Sequence, residues 1–140
     1  MKIKCTASSL KKCSAFVTKD ESKFCNEFSR FLMHRACMAL SASQVGNFIR
    51  VVGVKNRSRK KCTIMVNPVV IKSSKSMVTK EERCLLGDGN YIIANVERPK
   101  WVRVEYDEPS LNKRCKTTFR GRLAAAACHV IDLTNGKPIK

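Results

Sequence analysis

The sequence predicts a single α+β domain, with an amphipathic helix near the N-terminus, a group of strands, and a motif-bearing helix near the C-terminus. Three observations predict it. Residues 20–36 place Phe24, Phe28, Phe31 and Leu32 at i, i+4, i+7 and i+8, an apolar stripe on one helix face. Residues 48–119 hold several β-branched runs separated by turn residues, and AAAACHVIDLTNG (124–136) then reads as a helix with Gly136 placed to end it. Strands grouped between helices argue for antiparallel or mixed pairing rather than a wound βαβ sheet. At 140 residues, with no internal repeat and no linker, residues 1–140 form one domain able to bury a core without metal or disulfides.

The elements follow in chain order. MKIKCTASSLKKC lacks the continuous apolar stretch of a secretory signal. It has no acidic residue before Asp20 and weakly resembles an organelle transit sequence; a basic first strand and loop is the preferred reading. Asp20 or Ser22 can cap the first helix. CMALSASQVG (37–46) gathers small residues around Gln44, and FIRVVGV (48–54) is a strand. CTIMVNPVVI (62–71) is a second β-rich run, broken at Asn67-Pro68, so it bends or sits at a sheet edge. KSSKSMVTKEER is read as a polar connection to CLLGDGNYIIANV, with a turn at Gly87-Asp88-Gly89 and a strand over residues 91–96. WVRVEYD (101–107) alternates as a half-buried strand does, residues 108–114 turn, and CKTTF continues the sheet.

Charge is the strongest compositional signal. Twenty-eight basic residues against eleven acidic give a formal net charge of +17, which predicts a polyanionic partner, nucleic acid ahead of an acidic membrane surface. The densest run is KNRSRKK (55–61), an exposed loop or hairpin tip between two strands. It makes Lys55, Arg57, Arg59, Lys60 and Lys61 the candidate phosphate contacts, with no interleaved aromatics for base stacking. No apolar run approaches the about 20 residues needed to span a bilayer. Eight cysteines without a tight pair, mostly among apolar neighbours, predict reduced, packed thiols. A reducing compartment follows: cytoplasm, an organelle matrix, or a virus-infected host cytoplasm.

Three separated stretches then matter together: CMALSASQVG, EERCLLG (81–87) and CHVIDLTNG (128–136). Their order and spacing resemble the peptide deformylase family, whose members carry GxGLAAxQ, EGCLS and QHExDHLxG motifs. VNPVV (66–70) is similar to the family's INP strand, and Arg98 before WVRV fits its usual place. The resemblance covers the chain from about residue 20 to 139.

The resemblance implies one iron or zinc ion held by the second-motif cysteine and both third-motif histidines, with the third-motif glutamate as general base and acid. It also implies an oxyanion site made by the first-motif glutamine and the backbone N–H after the cysteine. Here Gln44 matches the glutamine, Cys84 the cysteine, Leu85 the residue after it, and His129 the first histidine. Val130 stands in the glutamate's place and Leu133 in the second histidine's. Cys37 and Ala39 replace glycines of the first motif; Arg83 and Leu86 replace the glycine and serine of the second; Cys128 replaces the glutamine of the third. Positions i and i+4 share a helix face, so Leu133 offers an alkyl group where a ligand nitrogen is required. Two protein ligands rarely hold a catalytic metal that uses three plus water. Cys128, about 100° round the helix from His129, is a poor substitute. Losing the general base alone costs about 10²–10⁴-fold in rate.

The expectation is therefore a deformylase-like pseudoenzyme without a cofactor, its Cys84 and His129 vestigial, acting as a basic binding module on ribosomal or other RNA, with ribosomal proteins or nascent chain as further partners. His129 is expected to be a packed helix histidine, Cys84 inert, Arg83 a surface arginine, and His34 solvated. The alternatives are a divergent deformylase holding iron or zinc through Cys84, His129 and a third ligand, and a non-hydrolytic binder of peptide N-termini through Gln44 and Leu85. The chain stops after GKPIK, without the further C-terminal helix of bacterial members, so ribosome docking through that helix is not expected.

Overall fold

A computed structural model describes residues 1–140. Helix α1 (Ser22–Met33) precedes seven strands: β1 (Ala39–Ser41), β2 (Val51–Lys55), β3 (Cys62–Ser73), β4 (Met77–Leu85), β5 (Tyr91–Pro99), β6 (Trp101–Asp107) and β7 (Arg114–Arg120). Helix α2 (Arg122–Thr134) follows, and 3₁₀ turns occupy Ser9–Lys11 and Ala42–Val45. One sheet has the order β1-β2-β3-β6-β7, and β4 pairs with β5 in a separate hairpin; every pairing is antiparallel. The α+β class stands.

The two faces of the five-stranded sheet carry the two helices, as the two-residue period of a strand requires. On one side Val52, Val54, Met65, Val102, Val104, Tyr106 and Phe119 pack against Ala124, Ala127, Cys128, Val130 and Ile131 of α2. On the other, Val51 and Val66 meet Cys25, Phe28 and Leu32 of α1. The spacing of Phe28 and Leu32 explains that face, since both are fully buried, each contributing about 1.5–3 kcal/mol. α1 approaches so closely that a Cβ on Gly53 would lie 2.7 Å from Leu32 Cδ2. A third, smaller cluster joins Cys5 and Leu10 of the N-terminal segment, Cys84 of β4, Leu133 of α2 and Ile139.

Several expectations change. The basic N-terminus forms no first strand: it runs as an irregular segment with one 3₁₀ turn and a single bridge between Ala15 and Ile49. Asn67-Pro68 does bend β3, but inside the sheet between β2 and β6, not at an edge. Asn67 takes φ 49°, and its side-chain amide clamps the N-terminal segment, accepting from Val17 N–H at 2.8 Å and donating to Val17 C=O at 2.9 Å. MVTKEER, read as a connection, is most of β4. Helix α1 has no side-chain N-cap of the ordinary kind, although Asp20 Oδ1 accepts from the Ser22 N–H at 2.7 Å.

KNRSRKK does form a hairpin tip between β2 and β3. Lys55 is the exception. It lies in β2, is only 4% exposed, and its Nζ donates to the Arg35 carbonyl, so it is not available to a phosphate. Strand alternation and the end of α1 turn it inward, while Arg57, Arg59, Lys60 and Lys61 stay exposed. No helix is long and apolar enough to cross a membrane.

Candidate active site

The site forms where β1, β4 and α2 meet around a cavity of about 870 Å³ lined by Leu40, Gln44, Glu82, Leu85, Ala126 and His129, among others. Gln44 is set by a capping box: the Ser43 N–H bonds Ser41 Oγ at 3.4 Å, and the Ser41 N–H bonds Gln44 Oε1 at 3.1 Å. That fixes the amide oxygen inward and leaves Nε2 facing β4, where it donates to the Leu85 carbonyl at 3.3 Å and towards Cys84 Sγ at 3.9 Å. Both are long bonds. The Leu86 N–H pairs across the hairpin with Asn90 C=O, so by strand alternation the Leu85 N–H faces the Gln44 side. Gln44, Leu85 and Cys84 therefore converge, and His129 shares the cavity with the first two.

Glu82 and Arg98 organise the floor. Arg98 spans from β5 to Glu82 at 3.0 Å on both carboxylate oxygens and to Asp132 Oδ2 at 2.6 Å. Burial opposes the charge on Arg98, but its hydrogen bonds to the Glu82 and Asp132 carboxylates outweigh it and raise its pKa. His129 Nδ1 lies 3.8 Å from Glu82 Oε1, too far for a hydrogen bond, and is a buried nitrogen with no partner. Desolvation lowers the His129 pKa despite Glu82 nearby, so the ring is neutral. Cys84 is pushed up to about 12 by burial, with Cys5 adding to the shift, so it is a thiol rather than a thiolate.

Whether these groups suit an iron or zinc ion turns on the donor count. One thiol and one orphaned imidazole are candidate donors. The third position is Leu133, which is fully buried in the apolar cluster with Cys84, Cys5, Leu10 and Ile139. Val130 is equally buried and packs into the main core. Glu82 and Asp132 are spent on Arg98, and no group of three or more His, Cys, Asp or Glu side chains could hold a metal. The residues present do not fit a three-ligand metal centre.

The other expected side chains fall as follows. Cys128 faces the core away from the cavity, pushed up to about 11 by burial, with Arg98 opposing the shift. Arg83 is on the surface, paired with Glu81 at 3.2 Å, and borders the cavity. His34 is exposed at the end of α1, its Nδ1 2.7 Å from Arg30 C=O. All eight cysteines are free. Sequence reasoning missed Glu82, although it opens the second motif, and missed Lys80 and Arg122, which line the cavity without any local pattern to flag them.

Residues 3–140 match the family model for polypeptide deformylase. A peptide deformylase of Brucella suis is 33% identical over 117 residues, covering 81% of this chain and 65% of that protein, so the chain spans less than two thirds of that relative's length. The fold is similar to the peptide deformylase of Vibrio parahaemolyticus bacteriophage VP16T, solved with actinonin: TM-score 0.85, 23% identity, 99% of this chain and 100% of that one. It is also similar to a class I type b peptide deformylase of Acinetobacter baumannii solved with Met-Ala-Ser bound: TM-score 0.80, 24% identity, 99% of this chain and 95% of that one.

Proposed function

The chain belongs to the polypeptide deformylase family, and from that premise we propose that it binds peptide N-termini in the deformylase pocket without hydrolysing them. One observation carries the reading. Leu133 and Val130 are fully buried in apolar clusters where a ligand and a base would stand, while Gln44, Leu85 and His129 still line an open cavity. A formyl or carbonyl oxygen placed beside Leu85 would replace the long bonds of Gln44 Nε2 and meet the Leu85 N–H, and donors of this kind bind without a metal. That a family member of the same fold was solved with Met-Ala-Ser bound supports a short peptide as occupant.

The test is fluorescence anisotropy with a labelled formyl-Met peptide, followed by mass analysis of the peptide recovered. Saturable binding with the formyl group intact is expected, and Ala126→Leu, which fills the cavity, abolishes it. Absence of saturable binding by the wild-type chain overturns the proposal.

The second reading is a divergent metal-dependent deformylase, favoured by the relatives, which are named peptide deformylases. It requires a donor beyond Cys84 and His129, and release of formate by the metal-supplemented protein would establish it. The +17 charge supports a further proposal, that the protein meets its peptides near ribosomal RNA through Arg59, Lys60 and Lys61 of the hairpin tip. Affinity for RNA that hardly changes between low and high salt would count against it.

A further inference from the structure

The peptide cavity does not end at β1 and β4. Met38, Lys80 and Arg122 line it and also line a second cleft of about 550 Å³, so the two adjoin along these three side chains. The second cleft is completed by Arg57, Arg120, Gly121 and Leu123. Four of its seven residues are cationic and none is acidic. They come from four different places: the β2–β3 hairpin tip, β4, the end of β7 and the start of α2. Three arginines elsewhere, Arg83, Arg98 and Arg114, are paired with carboxylates. Arg57, Lys80, Arg120 and Arg122 make no ion pair and no side-chain hydrogen bond. Four exposed like charges without counter-charges repel one another at low salt, a cost that an anion bound in the cleft would relieve. α2 adds to the field, since its first turn has no side-chain cap and no acidic residue.

Direction along the groove follows from β4. Leu85 lies at the pocket end and Lys80 at the cleft end, five residues apart, or about 16 Å of strand. An extended peptide with its N-terminus at Gln44 and Leu85 covers that distance in about four to six residues. We propose that the Arg57–Lys80–Arg120–Arg122 cleft is the downstream subsite of the peptide pocket and selects peptides with acidic side chains about four to six residues from their N-terminus. This rests on the peptide-binding reading. An acidic peptide is favoured over RNA because the cleft shares Met38, Lys80 and Arg122 with the pocket and no aromatic lines it to stack a base.

The experiment uses the full chain and three labelled formyl-Met octapeptides, with Asp, Ser or Lys at positions four to six. The Asp peptide should bind about tenfold more tightly than the Ser peptide at low salt, the effect of two or so partly exposed ion pairs. The advantage should vanish at 1 M salt, where charges are screened within about 3 Å. Arg57→Ser with Arg120→Ser, both at exposed positions, should abolish the preference while leaving the Ser peptide's affinity and the melting temperature unchanged. Equal affinity for all three peptides overturns the subsite and leaves the peptide-binding reading standing. No binding of any peptide overturns both. Tight binding of oligo(U) RNA that the double variant loses, with no discrimination among peptides, overturns the subsite in favour of nucleic acid.

Discussion

Leu133→His places an imidazole where the resemblance to the family motif implies a second histidine. In the wild type Leu133 is wholly buried with Cys84, Cys5, Leu10 and Ile139. Removing it forfeits about 1.5–3 kcal/mol of apolar burial. An imidazole left unpaired there costs about 1–3 kcal/mol more. The metal-free variant should therefore be about 2.5–6 kcal/mol less stable, a fall of about 10–24 °C at about 4 °C per kcal/mol for a chain of this size. Zinc should then recover much of it. Cys84, His129 and the new histidine supply three protein ligands, and a metal at a thousandfold over its Kd stabilises by about 4 kcal/mol. The assay is thermal melting by circular dichroism with chelator and with zinc, alongside metal content of the dialysed protein. A destabilised variant that zinc rescues, beside a wild type that zinc leaves unmoved, is the expected pair. A variant that melts lower and takes up no zinc would refute the reasoning, because it would mean that α2 does not align position 133 with Cys84.

Three further outcomes follow from the same geometry. Arg98→Ala leaves Glu82 buried beside His129 with its countercharge gone, so urea unfolding should report a loss of about 3–5 kcal/mol, whereas Arg83→Ala on the exposed Glu81 pair should change little. Lys55→Ala should cost about 1–3 kcal/mol of stability by stripping the Arg35 carbonyl of its partner, while under the RNA proposal Lys60→Ser and Lys61→Ser should leave the melting temperature alone and lower both RNA affinity and its salt slope. With a thiol reagent at pH 8, exposed Cys13 should label first, and Cys84, Cys25 and Cys128, held protonated by burial up to about 12, 12 and 11, should label only on unfolding; rapid labelling of Cys84 would contradict its burial.

What could be read from the sequence was whatever repeats with a regular period. Phe28 and Leu32 reveal the buried face of α1, and the four-residue step from His129 to Leu133 puts an alkyl group where the family resemblance implies a ligand. β4 was hidden because most of its residues are exposed in a two-stranded hairpin, so no apolar alternation marks it. β1 is three residues long, too short to carry a pattern. Lys55 went wrong for a different reason: a run of basic residues says nothing about where the strand ends, and one residue's difference decides whether a lysine faces solvent or the Arg35 carbonyl. The cationic cleft was not legible at all, since Arg57, Lys80, Arg120 and Arg122 meet only through the fold.

The central claim is that the deformylase pocket persists without a hydrolytic metal centre. The most direct measurement is metal content per chain after purification with added iron or zinc, paired with formate release from a formyl-Met peptide by the same sample. The account predicts well under one metal per chain and no formate above the protein-free rate, with the peptide still bound. One tightly held metal per chain together with turnover would contradict it.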